Sequence, residues 1–203
     1  MKGLYDTIAP FYDPWSRSVT EDVGFYVDLA VESGGPVVEL AVGTGRIAVP
    51  IARAGIRVIG VDSSPGMLAV AREAAEEAGV SHLVDLREGD LREPPVAERV
   101  PLVLCPFRSL LHMQTEDEKL RALRAAAALL APGGRFAFDV FSPSREDISE
   151  THGRWLEREP GIWERADWDE GERTLTLAVR RGDEASSMLL AWLSPPEWRL
   201  LLD

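Results

Sequence analysis

Cysteine and basic residues are scarce in this chain of 203 residues. Cys105 is the only cysteine, so the chain forms no internal disulfide and no cluster of thiolates. Lysine and arginine number 22 against 34 aspartates and glutamates, which leaves a formal net charge of −12. Such a charge opposes the phosphate neutralisation that duplex nucleic acid requires. We therefore expect no nucleic-acid partner, and the single cysteine suits the reducing cytoplasm.

Long apolar runs are also missing. No segment approaches the ~20 consecutive apolar residues that a membrane span needs, and the N-terminus lacks the apolar core of a signal peptide. We therefore expect a cytoplasmic protein with no membrane partner. Hydrophobic residues make up 45% of the chain and charged residues 28%, a mixture typical of a folded domain rather than a disordered one.

Between residues 36 and 141, short β-rich runs alternate with longer helical patterns. This alternation is typical of a parallel sheet covered by helices on both faces. The best-marked helix is residues 65–78, with proline at its first position and glycine directly after its end. A capping-box pattern predicts that another helix begins after Thr115. The predicted strands are residues 37–40, 57–61, 84–87, 102–105 and 135–141.

One segment departs from this alternation. Residues 46–54 are expected to form the helix that follows the first strand, yet Pro50 lies near the fifth position of that helix. Proline removes a backbone hydrogen-bond donor from the interior of a helix. We therefore expect a bent or locally loosened turn there.

Past residue 142 the pattern changes. Five of the six tryptophans lie there, and residues 174–179 alternate polar and apolar side chains as a half-buried antiparallel strand does. Turn-forming residues at 169–171 and 181–183 predict a three-stranded antiparallel meander. The chain is thus predicted to comprise an N-terminal lid and helix, a central α/β core and an antiparallel β extension, over residues 1–35, 36–142 and 143–203 respectively.

A glycine turn links the first predicted strand to the next helix. Gly43 and Gly45 have no side chains, which lets the backbone approach a ligand closely. Residues 43–48 also fit the pattern G-x-G-x-x-A of dinucleotide-binding proteins, and Asp62 follows Gly43 by 19 residues, where an acid that binds a ribose would lie. An NAD(P)-binding oxidoreductase is therefore one open interpretation. In another, Asp62 merely caps the helix that begins at Pro65.

Two further acidic residues favour a cationic ligand. Glu39 stands at the tip of the first strand, and Asp90 follows the third strand. A carboxylate repels a pyrophosphate but attracts an ammonium or sulfonium group. The acidic rim therefore indicates a cofactor that carries positive charge.

Four runs resemble, in order and spacing, the motifs of class I S-adenosylmethionine-dependent methyltransferases, namely residues 39–45, 58–68, 88–91 and 130–135. Residues 5–13 are similar to the lead segment that closes over the cofactor in many of these enzymes. The resemblance covers about residues 4–141. It implies an α/β fold with a Rossmann-like, doubly wound, mostly parallel sheet, here with a small antiparallel C-terminal extension. It also implies S-adenosylmethionine as the cofactor.

The resemblance further implies a role for each motif residue. Gly43 and Gly45 would border the methionine part of the cofactor, and Glu39 would reach its amino group directly or through water. Asp62 would accept hydrogen bonds from both ribose hydroxyls. Met67 would pack on the adenine ring.

The remaining implied cofactor contacts lie on neighbouring turns. Asp90 would hydrogen-bond the adenine amino group, while the backbone of Leu91 completes that edge. Pro106 and Phe107, after the fourth strand, would line the methyl donor's end. Ala41 departs from the commonest motif, which has glycine there, but one methyl group should change binding little. Tyr12 and Ser63 complete the implied set.

The loop of residues 106–112 resembles one found in the subgroup that acts on small molecules, sugar amines included. The chain also lacks the Asn/Asp-Pro-Pro-Tyr/Phe signature of many nucleic-acid base methylases. A small-molecule acceptor, methylated on nitrogen or oxygen, is therefore favoured. His112 is a candidate general base, since its ordinary pKa of about 6.5 suits that role, or simply a polar residue ahead of a helix. Arg108 is a candidate to contact an acidic substrate group or to pair with a carboxylate.

Two alternatives to an active methyltransferase stay open, an NAD(P)-binding oxidoreductase and a catalytically inactive S-adenosylmethionine-binding protein. The possibility of an inactive protein comes from the C-terminal part of the sequence. In the family, the extra strands are followed by a helix and two final strands, whereas residues 194–203 begin such a helix and the sequence stops. An uncovered strand edge favours pairing with another chain, so we expect a homodimer. We expect no metal site.

Overall fold

The computed structural model describes residues 4–16 and 20–202. Residues 1–3 and 17–19 of the predicted N-terminal region, and residue 203 of the predicted C-terminal extension, lie outside the described residues. The centre of the molecule is a five-stranded sheet in which every neighbouring pair is parallel, with strands β1 (Val37–Leu40), β2 (Val58–Asp62), β3 (Val84–Glu88), β4 (Val100–Cys105) and β5 (Leu130–Phe138).

The strands lie in the order β3-β2-β1-β4-β5. Chain order therefore reverses between β1 and β4, and the crevice at the carboxyl ends of the strands at such a point is where ligands bind in open α/β sheets. The predicted α/β class with a mostly parallel sheet is confirmed. No described helix has the length and apolar character needed to cross a membrane.

Helices pack on both faces of this sheet. Val37 and Val58 pack with residues of the second and third helices on one face. Their chain neighbours Val38 and Ile59 pack with residues of the fifth helix on the other, because successive strand residues point to opposite faces. The described helices are α1 (Leu4–Ser16), α2 (Val23–Ser33), α3 (Ala48–Arg53), α4 (Pro65–Glu77), α5 (Glu116–Ala128), α6 (Arg145–Thr151) and α7 (Pro195–Leu202).

The helix starts follow the local sequence. The Ser64 side chain accepts a hydrogen bond from the Met67 amide, and Pro65 occupies the first helical position of α4. Thr115 and Glu118 form the predicted capping box at the start of α5. Both devices satisfy backbone N–H groups that have no partner within the helix.

The locally loosened turn expected near Pro50 lies at residues 46 and 47, which form a turn and not a helix. The helix after β1 begins at Ala48, so it is shorter than the predicted residues 46–54, and Pro50 is its third residue. The amides on either side of Pro50 keep their hydrogen bonds, from Val49 to the Gly45 carbonyl and from Ile51 to the Ile47 carbonyl, so the missing N–H of proline interrupts the ladder at one position only.

The fifth strand is displaced from the predicted residues 135–141. It spans Leu130–Phe138 and includes Pro132, Gly133 and Gly134, and its pairing with β4 has a register shift between Val100 and Leu102. The strand ends before Asp139, whose carboxylate accepts hydrogen bonds from the backbone of the loop after β4.

The C-terminal extension is an antiparallel sheet of four strands, not three. Its strands pair in chain order and are β6 (Trp155–Glu159), β7 (Ile162–Asp169), β8 (Thr174–Arg181) and β9 (Glu184–Ala191). β6 was missed because three of its five residues are charged and it shows no clear apolar alternation. Ile162, Leu175 and Met188 belong to the same buried cluster as Val38 of the parallel sheet. The extension therefore packs directly on the central domain.

Candidate active site

Two cavities adjoin at the carboxyl ends of the parallel strands. The first cavity has a volume of about 200 Å³, and its wall is formed by the turns after β1, β2 and β3. The second cavity, about 440 Å³, lies between the parallel domain and the antiparallel sheet. Four side chains line both cavities, Tyr5, Tyr12, Phe107 and His112. Ligands in the two cavities would therefore meet at this shared wall.

The turn after β1 is held by a carboxylate from the end of β2. The Gly43 amide donates a hydrogen bond to Asp62 Oδ2 at 2.9 Å, and the Ser64 amide donates to Asp62 Oδ1 at 2.9 Å. Burial raises the pKa of Asp62, and these backbone hydrogen bonds oppose that rise. One carboxylate thus fixes both the glycine turn and the start of α4.

The two glycines of this turn serve different purposes. Gly43 has φ +56°, and a Cβ placed on it would meet no atom within 4 Å, so a side chain there would project into free space beside the first cavity. Gly45 has φ +84°, and a Cβ on it would lie 3.2 Å from Val49 and 3.5 Å from Ala71. Gly45 therefore allows α3 and α4 to pack closely and does not line the cavity.

Glu39 is buried beneath the first cavity. Its side chain is 2% exposed, and its Oε2 has no hydrogen-bond partner among the described residues. Burial raises the pKa of Glu39 to about 8, although the nearby Arg46 guanidinium lowers it. Arg46 itself forms two hydrogen bonds to the Asp22 carboxylate, at 2.6 and 2.9 Å. An unpartnered buried acid is costly, and it marks a place where a cationic group would be favourable.

Asp90 lines the first cavity but is already paired. Arg92 Nη2 lies 2.5 Å from Asp90 Oδ2, and Arg92 Nη1 lies 2.6 Å from Glu118 Oε1. Hydrogen bonds from Arg92 lower the pKa of Asp90. The acidic rim expected from the sequence is therefore partly neutralised at this end, by an arginine that the sequence analysis did not single out.

Helix α1 contacts two of the turns that form the wall of the first cavity, those after β1 and β2. Asp6 Oδ1 accepts hydrogen bonds from Ser64 Oγ at 2.6 Å and from the Gly66 amide at 2.9 Å. Asp13 Oδ1 accepts one from Thr44 Oγ1 at 2.5 Å. These two aspartates join α1 to the turn after β1 and to the start of α4.

Tyr5 and His112 form a pair in the shared wall. The Tyr5 hydroxyl lies 2.7 Å from His112 Nε2. Burial lowers the pKa of His112 to about 4 and raises the pKa of Tyr5. The imidazole is therefore neutral and the phenol protonated near neutral pH. With its proton on Nδ1, the imidazole accepts a hydrogen bond from the Tyr5 hydroxyl at Nε2.

The loop after β4 has an uncommon backbone. Phe107 has φ +55° and Arg108 has φ +64°, a left-handed region that residues other than glycine seldom adopt. Asp139 Oδ1 accepts a hydrogen bond from the Phe107 amide at 2.6 Å, and Asp139 Oδ2 accepts one from the Arg108 amide at 3.0 Å. The same Oδ1 accepts the Tyr26 hydroxyl at 2.8 Å.

The second cavity is rich in aromatic rings and carries charges of both signs. Trp15 Nε1 donates a hydrogen bond to Glu164 at 3.0 Å, and Arg158 pairs with the same carboxylate at 2.8 Å. The Arg108 guanidinium lies 5.2 Å from the centre of the Phe141 ring. Aromatic walls of this kind exclude water from a bound organic molecule.

Known methyltransferases are similar to this chain in sequence and in fold. Residues 37–134 match the family described as "Methyltransferase domain". An uncharacterized methyltransferase from Bacillus cytotoxicus is 29% identical over 160 residues, which cover 73% of this chain and 71% of that protein. A demethylmenaquinone methyltransferase from Thermus thermophilus is 33% identical over 151 residues, covering 69% and 65%. The CcbJ methyltransferase from Streptomyces caelestis has a TM-score of 0.83 at 26% identity, over 99% of this chain and 86% of that one.

Residues 37–134 are a methyltransferase domain, and these findings support an S-adenosylmethionine-dependent methyltransferase. S-adenosylmethionine is accordingly the cofactor of this methyltransferase, and the match to a methyltransferase domain replaces the interpretation as an NAD(P)-binding oxidoreductase. The first cavity fits that cofactor, because the space beside Gly43 is free, the carboxylate of Asp62 lines the cavity, and Glu39, whose Oε2 has no partner among the described residues, is two residues from Ala41 in its wall. From here the first cavity is called the cofactor cavity and the second the acceptor cavity.

Most of the residues that the sequence analysis assigned to the methyltransferase site are brought together. Glu39, Gly45 and Pro106 are not part of the cofactor cavity's wall. Glu39 and Pro106 are buried behind it. Arg108 lines the acceptor cavity. The predicted residues that do line the cofactor cavity are Tyr12, Ala41, Gly43, Asp62, Ser63, Met67, Asp90, Leu91, Phe107 and His112.

Other residues of the site were not assigned a role individually, although Tyr5 lies in the lead segment that was expected to close over the cofactor. Tyr5, Arg92 and Asp139 each contact a predicted residue through hydrogen bonds. No signal in the sequence pointed to Asp139, because it lies inside the predicted strand of residues 135–141. Among the described residues no group of three or more His, Cys, Asp or Glu side chains could hold a metal ion.

Proposed function

We propose that this methyltransferase moves the methyl group of S-adenosylmethionine to a nitrogen or oxygen atom of a small molecule bound in the acceptor cavity. The observation that carries the proposal is the wall shared by the two cavities, formed by Tyr5, Tyr12, Phe107 and His112. A donor and an acceptor on opposite sides of it would be adjacent and shielded from water. The demethylmenaquinone methyltransferase relative also acts on a small organic molecule, as its name states.

At the cofactor end, Asp62 would hold the ribose hydroxyls and Glu39 the amino group, while Met67 and Leu91 would enclose the adenine. When bound, S-adenosylmethionine supplies an activated methyl group on a sulfonium. The residues of this chain need only align the nucleophile with that group and exclude water, and alignment can supply roughly 7–11 kcal/mol of the barrier.

At the acceptor end, the Tyr5 hydroxyl would take a proton from the nucleophile as it passes its own proton to His112 Nε2. The neutral imidazole is available as a base because burial holds the pKa of His112 at about 4. A base with so low a pKa is weak, so this site suits an amine better than an alcohol, because an uncharged amine attacks the methyl group without first losing a proton and the ammonium product releases its proton to solvent.

Arg108 would bind an acidic group of the acceptor. Among the described residues it has no carboxylate within ion-pair distance, in contrast to Arg158, which pairs with Glu164. Its guanidinium lies between the rings of Phe107 and Phe141, at 5.7 and 5.2 Å from their centres. Of the two interpretations of Arg108, the structure thus supports the substrate contact.

The first test is isothermal titration of the purified chain with S-adenosylmethionine and with its demethylated product, using NAD as the control. We expect micromolar binding of the first two ligands and none of NAD. Turnover of a panel of amines and alcohols, with and without carboxylate groups, then tests the transfer itself. Cofactor binding without turnover of any acceptor would favour the alternative of a catalytically inactive S-adenosylmethionine-binding protein.

We also propose that the chain forms a homodimer through the outer edge of β5. β5 is the last strand of the parallel sheet, so its outer edge pairs with no other described strand. Unpaired strand edges favour association with another chain. A mass that stays monomeric across a hundredfold concentration range in light scattering would contradict this proposal.

We propose a cytoplasmic location as well. The support is Cys105, whose thiol is fully buried and has its pKa raised by burial, so the chain holds a reduced cysteine that cannot pair within it. Fluorescence microscopy of a tagged protein in its own cell tests this location.

A further inference from the structure

The loop that separates the two cavities is held in an unfavourable backbone conformation. Phe107 and Arg108 follow each other with φ angles of +55° and +64°. Neither is glycine, so each left-handed conformation costs free energy and persists only when surrounding contacts enforce it. These two residues form part of the wall of the acceptor cavity, and Phe107 also lines the cofactor cavity.

The contacts that enforce this conformation converge on Asp139. Its carboxylate accepts both amides of the loop, from Phe107 at 2.6 Å and from Arg108 at 3.0 Å. Hydrogen bonds to a charged acceptor are about twice as strong as neutral ones. The two amides point to the same carboxylate because the left-handed turn directs successive N–H groups into one concavity.

Asp139 is itself fixed from two sides. It directly follows β5, whose last residue, Phe138, pairs with Cys105 at the end of β4. The Tyr26 hydroxyl donates to Asp139 Oδ1 at 2.8 Å from the opposite side. Tyr26 is 2% exposed, and burial raises the pKa of its phenol, so that this donor keeps its proton.

We infer that Asp139 is a positioning residue for methyl transfer. It holds the backbone of Phe107 and Arg108 left-handed, and so sets where the Phe107 ring and the Arg108 guanidinium stand relative to the acceptor. This inference rests on the proposed function, since only acceptor chemistry at this wall gives the loop position a kinetic consequence. The hydrogen bonds that Asp62 and Ser64 make near the cofactor cavity do not involve Asp139.

The direct test is amide hydrogen exchange measured by NMR. In the wild-type chain we expect the Phe107 and Arg108 amides to be protected. In Asp139→Ala we expect their exchange to accelerate at least tenfold, while the amides of β1 and β2 keep their protection. Tyr26→Phe is the matched control, because it removes one bond to Asp139 but leaves both loop amides their acceptor. Unchanged exchange at residues 107 and 108 in Asp139→Ala would overturn the inference.

The kinetic test uses Asp139→Ala and the milder Asp139→Asn, which keeps one accepting oxygen. We expect kcat/KM for the acceptor to fall at least thirtyfold in the first and less in the second, with the Kd of S-adenosylmethionine within about threefold of wild type. Glycine adopts positive φ without cost. Asp139→Ala should therefore lower kcat/KM by a smaller factor in an Arg108→Gly background than in the wild type.

The possible outcomes distinguish the proposed function from the positioning role of Asp139. Wild-type chain that turns over no acceptor defeats the proposed function, whatever the exchange data show. Wild-type turnover together with an Asp139→Ala variant that exchanges faster but retains kcat/KM within threefold defeats the positioning role alone. If Asp139→Ala lowered kcat/KM equally with arginine and with glycine at position 108, that result would also count against the positioning role.

Discussion

The amide of Gly43 donates a hydrogen bond to the carboxylate of Asp62 across 2.9 Å, which links the turn after β1 to the end of β2. Asp62 also accepts the Ser64 amide, so the carboxylate that is proposed to bind the ribose already shapes the turn beside it. Binding and local structure therefore depend on the same side chain. The oxygens have capacity left, because each carboxylate oxygen can accept two hydrogen bonds.

Asp62→Ala should lower the affinity for S-adenosylmethionine at least a hundredfold. Each hydrogen bond to a charged acceptor contributes about 1.5–3 kcal/mol, and ~1.4 kcal/mol is a factor of ten. Isothermal titration measures the loss. Asp62→Asn, which keeps one accepting oxygen, should lose less. The control Asp85→Asn changes an acid on β3 that pairs with Arg57 and Arg87 away from both cavities. An affinity unchanged in Asp62→Ala would place the cofactor elsewhere.

Binding of S-adenosylmethionine should release a proton from Glu39 near neutral pH. Burial raises the pKa of Glu39 to about 8, so the carboxyl is mostly protonated below pH 8. A cationic amino group beside it would favour the ionised form and lower that pKa. Titrations at pH 7 in buffers of different ionisation enthalpy should give different apparent binding enthalpies. In Glu39→Gln the buffer dependence should vanish; if it persists, another group releases the proton.

His112 should stay neutral well below its ordinary pKa. Burial lowers its folded pKa to about 4, against about 6.5 in the unfolded chain. As pH falls below 6.5, the unfolded state therefore gains the proton first, and stability is lost progressively between pH 6.5 and 4. NMR titration of the ring should show no protonation at pH 5.5. A midpoint near 6.5 would mean that the ring is solvated in the folded chain and would contradict the expected loss of stability.

Ala41→Gly should stabilise the fold by about 1 kcal/mol. Ala41 has φ +57°, a conformation that costs an L-residue roughly 1–2 kcal/mol but costs glycine little. In a chain of this size 1 kcal/mol raises Tm by about 2–4 °C. The matched control is Ala69→Gly, in the exposed part of α4, which should lower Tm because glycine weakens a helix interior. A lower Tm in Ala41→Gly would show that the methyl group makes a packing contact worth more than the backbone cost.

Asp6→Ala should speed the release of S-adenosylmethionine about tenfold. Asp6 joins α1 to Ser64 and to the Gly66 amide, beside the cofactor cavity, and loss of these bonds weakens the closure of α1. Asp6→Asn keeps the accepting oxygen and should stay within about threefold of wild type. Stopped-flow fluorescence during displacement of the cofactor measures the rate. Equal release rates in all three proteins would mean that α1 does not limit cofactor exit.

Local patterns account for what was predicted correctly. The helix caps at Ser64 and Thr115 form between residues three positions apart, whose side chains hydrogen-bond the backbone of the first helical turn. The strands after the glycine turn likewise depend on residues that are neighbours in the sequence. Strands β6 and β5 were misjudged for the opposite reason. Their bounds depend on which partner strand is present and on a bulge opposite it, and neither is visible within the segment itself.

The sequence by itself determined the class of fold, the glycine turn and the acids at the ends of the first three strands, because parallel strands bring their carboxyl ends to one edge whatever the details of packing. Only the tertiary structure decided what those groups contact. Tyr5 meets His112 across 107 residues of chain, and Asp139 meets Phe107 across 32. Contacts over such separations depend on how helices and loops pack, and burial in that packing is what shifts the pKa values of Glu39 and His112.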